Sequence, residues 1–398
     1  MTGKTTKHNQ KPAKTKVFNL NLPSDPVISY DRIQRLVNNW IPFGTNNLFP
    51  QAIASINRKS TINRGIINSK TIYTIGQGFN GSESSLTKAK EINLRETLKR
   101  SILDRYAFGN AFIEVVRRDG FVSVFHHDAT TCRIHKSNNY IIIHPDWANW
   151  TSLKSEFKVL PKYPIFENID GFERTMIHFK DYEPQFVYNG VPDWIAGLKV
   201  SVIGHKTDKW NLTRLDNDFR GSGVLVVEDD IKSEEEAYEL KNQVMEEFTG
   251  EDGGGLVVIA KTPGADINTN FTEIKQTQEG NWEKLHSQAA TDMIIAHSWY
   301  RSLTAIPDNN GFDTKRILNE YQIALNTVIA DKQEEFMSVL NEVLMTDLQI
   351  INKPPLDYGN LLDINKFITK NEGRKMFGLE ENNDNTYIDV SNTSRNSI

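Results

Sequence analysis

Between Pro192 and Arg301 two stretches of helical periodicity flank a short, carboxylate-rich insert, and a chain in that order must send the second helix back along the first. Val191-Pro192-Asp193 opens the first helix, because proline's fixed φ and missing N–H suit a first turn. Trp194, Ile195, Leu198, Val202, Leu212, Leu215 and Phe219 then recur at helical spacing, and Gly221-Ser222-Gly223 stops the run. In the insert, Val224 to Val227 and Leu256 to Ala260 are β-branched runs bounded by glycine, which predicts two buried strands. Ser233-Glu234-Glu235-Glu236 predicts a capped helix between them. Trp282, Leu285, Ala289, Ile295 and Trp299 mark the second long helix. At about 1.5 Å per residue, helices of about 20 to 25 residues reach roughly 30 to 38 Å. A helical hairpin with a charged α/β tip is architecture rather than chemistry.

A chain of 398 residues has room for two or three domains, yet its 38% hydrophobic content is low for several self-sufficient cores. Part of the burial is therefore expected from neighbouring copies, since polar helix middles such as His205 to Lys209 bury poorly within one. The single cysteine, Cys132, has no internal partner, so stability is expected without an oxidising compartment. No apolar run approaches the roughly 18 to 20 residues of a membrane span, and the lysine-rich start lacks the apolar segment of a signal peptide, which predicts neither membrane insertion nor export by that route.

Charge is unevenly placed. Lys4, Lys7, Lys11, Lys14 and Lys16 stand without an acidic residue nearby, a pattern that predicts a disordered basic tail over residues 1–30. The insert carries Glu234, Glu235, Glu236, Glu239, Glu246 and Glu247, a surface that repels phosphate and attracts basic protein partners.

Elsewhere the pattern predicts a short amphipathic helix over Asp31 to Trp40, a helix over Gln51 to Ile75 and another over Ala89 to Phe108. From Ala111 to Phe179 it turns to strands, with Arg118-Asp119-Gly120 as a hairpin turn and with Tyr140 to Ile143 and Met176 to Phe179 continuing the sheet. A loop over Ser302 to Thr314 precedes one long helix from Lys315 to Met345, striped by Ile317, Tyr321, Leu325, Val328, Phe336, Val339, Leu340 and Val343. A short helix near Asn371 to Gly378 closes the pattern.

Catalytic readings fail on context. Gly3-Lys4-Thr5 lacks the strand and upstream glycine of a phosphate-binding loop, and Gly253-Gly254-Gly255 precedes a strand rather than a helix. His126, His127, Asp128 and His135 form the best metal-like group, but adjacent histidines on a strand point to opposite faces, so structural roles are favoured. Cys132 has no activating neighbours, and consecutive glutamates on a helix diverge. Trp194, Trp282 and Trp299 are favoured as helix-packing anchors over base-stacking platforms.

Four segments in this order resemble the portal proteins of tailed bacteriophages: Phe43 to Pro50, Tyr106 to Phe112, the helix-insert-helix, and Thr369 to Arg374 ahead of Phe377-Gly378-Leu379. The resemblance implies an α+β portal fold and a homo-oligomeric ring, typically a dodecamer, at one capsid vertex of the virion. Residues 31–191 would form a mixed α/β wing, 192–220 and 277–301 the antiparallel stem, 221–276 the clip, 302–314 the tunnel loop and 315–345 a long wing helix. Residues 346–398 are too few for a full crown. The implied role is a channel for DNA packaging and genome ejection and a head-tail connector, with no enzymatic activity and no cofactor.

The implied partners are the terminase large subunit, major capsid and scaffold proteins, neck or adaptor proteins and, transiently and without sequence preference, double-stranded DNA, with assembly in the host cytoplasm. Clip docking candidates are Glu234, Glu235, Glu236, Glu239, Glu246 and Glu247. Ring-interface candidates are Trp194, Leu198, Val202, Trp282, Leu285 and Trp299. Lys199, Lys206, Lys209 and Arg214 either meet acidic neighbours and solvent or form positive rings that steady DNA, and Asp308, Asn309 and Asn310 either offer polar loop tips to it or belong to an ordinary connecting loop. The competing readings are a metal-dependent nucleic-acid-processing enzyme and a non-viral oligomeric adaptor.

Overall fold

The computed structural model describes residues 36, 38–150, 157–218, 223–228, 256–261, 271–273, 281–304 and 313–356, together with 369, 371 and 375. Asn38 and Asn39 lie in a bend and Trp40 bridges to His135, so the helix expected up to Trp40 does not form there. Trp40 instead packs edge-on against Trp147 and Trp150, at centroid distances of 5.3 and 5.0 Å, which fixes it beside the sheet rather than on a helix face.

The turn after Phe43 is set by two left-handed residues. Gly44 sits at φ +84°, where an added Cβ would lie 2.8 Å from the Phe49 Cβ. Asn47 has φ 62°, and its Oδ1 accepts from the Phe43 N–H at 3.0 Å and from buried Arg133 Nε at 2.6 Å. The tract from Gln51 to Ile75 is two helices, α1 (Phe49–Lys59) and α2 (Thr61–Ile75). Ser60 between them is extended and its hydroxyl accepts from the Asn63 N–H, restarting the helix as an N-cap.

After β1 (Gly78–Asn80), the next tract is likewise split into α3 (Glu83–Glu91) and α4 (Leu94–Phe108), with Asn93 left-handed at the joint. Gly109 then caps α4 and turns the chain into β2 (Asn110–Arg118). Asp119 and Gly120, at φ 49° and 84°, close the Asp-Gly hairpin to β3 (Phe121–His127) as the sequence predicts.

At Asp128 the chain leaves this sheet. The Asp128 carbonyl takes the Thr131 N–H at 2.9 Å and its carboxylate takes the Thr130 N–H at 2.7 Å. The following strands β4 (Cys132–Ile134), β5 (Tyr140–Ile143) and β6 (Lys158–Pro161) form a separate antiparallel sheet. Tyr140 to Ile143 therefore does not continue the sheet of Met176 to Phe179. The latter lies in β8 (Phe172–Lys180), which with β7 (Glu167–Ile169) completes the order β3-β2-β8-β7.

A 3₁₀ turn at Ile195–Gly197 runs into α5 (Leu198–Asp218). The tip strands are β9 (Gly223–Glu228), β10 (Leu256–Lys261) and β11 (Phe271–Glu273). β9 pairs parallel with β10 and antiparallel with β11. A parallel pair requires a crossover connection; the helix expected at Ser233 lies outside the described residues. The return helix is α6 (Asn281–Ala296).

The long helical rod that follows contains α7 (Thr314–Ala324), a π-helical segment at Leu325–Ile329 and α8 (Ala330–Leu344). The π segment interrupts the α-helical ladder foreseen from Lys315 to Met345 by closing wider hydrogen-bonded turns. Asp313 caps the rod by accepting from the N–H groups of Lys315 and Arg316. Beyond it, β12 (Gln349–Ile351) pairs antiparallel with β1. One hydrophobic cluster joins α1, α2, α4, the β2 sheet, the base of the α5–α6 hairpin and the long rod, through residues such as Ile66, Leu98, Phe112, Trp194, Phe336 and Leu340.

Candidate functional site

The helical hairpin and the place where it enters the body are the features on which a mechanical function would act. With 21 and 16 residues, α5 and α6 extend about 31 and 24 Å. Leu198, Ser201 and Val202 of α5 and Ala289, Ala290 and Met293 of α6 are buried. Gly197 permits the close approach at the base, since a Cβ there would lie 2.8 Å from both Ala296 Cβ and Met293 Sδ. Nearer the tip, Asp208 Oδ1 and His286 Nε2 meet at 3.4 Å. The two contacts together fix an antiparallel register.

At the base, the side chain of Lys70 projects from α2 and is fully buried. Its Nζ donates to Asp193 Oδ2 at 2.5 Å and to the His297 carbonyl at 3.0 Å. One ammonium thus holds the residue that opens the hairpin and the carbonyl just beyond the C-terminus of α6, where a cation complements the helix dipole. The same ammonium lies 4.8 Å from the centroid of the Tyr106 ring.

Aromatic rings surround this clamp. Trp194 is fully buried, its indole N–H donates to the Tyr106 carbonyl at 2.9 Å, and its ring stacks on His297 at 5.7 Å. Trp299 donates to Ser69 Oγ at 3.2 Å. His297 Nε2 donates to Asn63 Oδ1 at 2.7 Å, a direction set by the Asn63 amide, which donates onward to Asn57 Oδ1 at 2.6 Å. Burial, reinforced by the charge of Lys70, pushes the His297 pKa well below its ordinary value, so the ring is neutral at pH 7.

Two further charged groups brace the body. Arg105, nearly fully buried, reaches Asp181 at 3.1 Å and both oxygens of Glu335 at 2.9 Å, and Lys332 pairs with Asp181 as well. This ties α4 and the end of β8 to the rod just past its π segment. Glu114 in β2 receives Arg174 at 2.7 Å, His127 at 2.7 Å and Lys158 at 2.9 Å. Burial alone would raise its pKa, but the hydrogen bonds from His127, Lys158 and Arg174 outweigh that and lower it to about 2.

Asn110 explains the Tyr106 to Phe112 segment. Its side chain donates to the carbonyls of Phe108 and Gly190 and accepts from the Gly190 N–H, clamping the irregular segment that leads toward the hairpin.

The residues singled out from sequence are placed unevenly. Lys199 and Lys206 are exposed on α5, while the side chains of Lys209, Arg214 and Trp282 lie outside the described residues. So do Asp308, Asn309 and Asn310, and Glu234, Glu235, Glu236, Glu239, Glu246 and Glu247. Trp194, Leu198, Val202 and Trp299, expected where copies meet, are buried within a single copy, because α2, α4 and α6 already cover them. Leu285 is exposed. His126 and His127 bond different carboxylates, Asp104 at 2.8 Å and Glu114 at 2.7 Å, and so do not converge. Cys132 is buried, which pushes its thiol pKa up to about 12. Sequence reading missed Lys70, Asn63 and His297, and no local pattern announces a lysine on a buried helix face.

No protein-family model matches the chain. Over 220 residues it is 25% identical to a protein of Rickettsia bellii (strain RML369-C) described as uncharacterized, covering 51% of this chain and 55% of that one. The match spans about half the length of that relative. Among solved structures, a chain from the neck of the empty gene transfer agent (GTA) particle computed with C6 symmetry aligns over 84% of this chain and 95% of its own, with a TM-score of 0.51 and 12% identity. The chain shares its fold with that neck chain. A chain from the neck of the native GTA particle computed with C12 symmetry aligns over the same shares, with a TM-score of 0.50 and 13% identity. The α+β class and the portal-type resemblance read from the sequence stand at the level of fold.

Proposed function

We propose that this chain is a structural, non-catalytic subunit of a portal-type ring at the neck of a phage-like particle, through which double-stranded DNA passes. The observation that carries the reading is the antiparallel α5–α6 pair, anchored at its base by Lys70 and ending in a small three-stranded tip, within a neck-protein fold shared over most of both chains. By analogy with the neck computed with C12 symmetry, twelve copies would make the ring.

In such a ring α5 and α6 form the stem, residues 221–276 the clip and residues 302–314 the loop nearest DNA. A conduit for DNA must avoid holding it, since each added phosphate contact strengthens binding and its salt dependence. Lys199, Lys206, Lys209, Arg214, Asp308, Asn309 and Asn310 are the channel candidates. The acidic clip suits a basic docking partner, in the packaging phase the motor and later the neck and tail proteins. Reversal of Glu235, Glu236 and Glu239 to lysine is expected to impair motor docking without preventing assembly.

Electron microscopy of the purified full chain tests the reading directly. A closed ring with a central hole wide enough for duplex DNA is expected. Monomers or open assemblies alone would overturn it.

A further inference from the structure

The hairpin presents two different outward faces. On α5, Lys199, Ile203 and Lys206 are exposed at four- and three-residue steps and so share one stripe. On α6, Leu285, Gln288 and Ile295 are exposed and Asp292 is half-buried, again at helical spacing, with Ile295 at 69% exposure. Each helix buries its opposite side, with Leu198, Ser201 and Val202 inward on α5 and Ala289, Ala290 and Met293 inward on α6. The two stripes therefore point away from each other.

Their chemistry is complementary. One stripe carries two cations around an isoleucine, and among the described residues no carboxylate pairs with either lysine. The other carries a carboxylate between apolar side chains, with Gln288 Nε2 donating to Asp292 Oδ1 at 2.8 Å and leaving Oδ2 for a cation. Exposed isoleucines on both stripes are better covered than left beside passing DNA in water.

We infer that the α5 stripe docks on the α6 stripe of a second copy, so that Lys199 and Lys206 pair with the neighbour's Asp292 around the contact of Ile203 with Ile295. The inference rests on the ring reading and deepens it by moving these two lysines from the channel wall to the seam between copies. A rotation about a ring axis parallel to the hairpin keeps every residue at its own height. The register set by Gly197 against Met293 and Ala296, and by Asp208 against His286, puts Ile203 level with Thr291. Asp292 then lies within about 6 Å, along the axis, of both lysines. Two unlike faces meeting head to tail close into a ring when the rotation allows, whereas a single self-complementary face would stop at a dimer.

The test uses the full chain with Ile203→Cys and Thr291→Cys together; Cys132 is buried and gives little background. Oxidation is expected to yield a ladder of multiples of the chain mass on a denaturing gel, and reduction to collapse it. In parallel, Lys199→Glu with Lys206→Glu is expected to lower the ring fraction at least tenfold at unchanged thermal stability, and adding Asp292→Lys to restore it. Rings that form without the ladder, or that tolerate the double reversal, would overturn the face assignment alone. Failure of the unaltered protein to form rings would overturn the ring reading and this assignment with it.

Discussion

Lys70 and Asp193, 123 residues apart in sequence, meet at 2.5 Å with the lysine fully buried and the carboxylate 38% exposed. This asymmetry decides what each loses when the other is removed. Asp193→Ala strands a buried ammonium and is expected to cost about 3–5 kcal/mol. Lys70→Met leaves a carboxylate that water can reach and is expected to cost less, about 1–3 kcal/mol. Urea unfolding of the two variants checks the order, and the reverse order would contradict the clamp.

Acid should unfold the protein in two stages. His297 and His178 are held neutral by burial, so the unfolded chain takes up their protons first; stability is full above about pH 6.5 and falls as pH drops below it. Glu114, lowered from 4.5 to about 2, contributes stability that is full above about pH 4.5 and is lost as pH falls toward 2. Thermal melts across pH 8 to 3 should show both limbs. Glu114→Gln should lower the melting temperature at neutral pH and flatten the lower limb.

Two glycines should respond oppositely to alanine. Gly109 sits at φ +69° with its Cβ position 2.2 Å from the Val191 carbonyl carbon, so Gly109→Ala is expected to cost more than about 3 kcal/mol. Gly204 lies within α5 with nothing within 4 Å of a Cβ, so Gly204→Ala should stabilise by about 0.5–1 kcal/mol. Denaturant midpoints of the pair decide the point.

Leu198→Asp or Val202→Asp is expected to destabilise each copy, by more than about 3 kcal/mol, before any effect on assembly. Loss of cooperative melting would show this. Well-folded monomers from either variant would instead return these residues to the contact between copies.

Local signals survived folding where the backbone alone dictates the outcome. Asp119-Gly120 made its hairpin because a two-residue turn needs positive φ at both positions. The β-branched runs at Val224 and Leu256 became strands, and the glycine-bounded helices reversed on each other. Boundaries failed where a single side chain intervened: Ser60 split one helix by capping the next, and the Asp128 turn sent β5 into a second sheet.

Helical periodicity and glycine placement thus determined the hairpin and the α+β class, because each depends on residues close in sequence. Which apolar residues of the hairpin stay inside one copy was decided only by the tertiary structure. Trp194 and Leu198 read as one stripe with any other, and only the arrival of α2, α4 and α6 covers them. The Lys70 clamp is of the same kind, since a buried cation is stable only when distant segments bring its carboxylate and carbonyl to it.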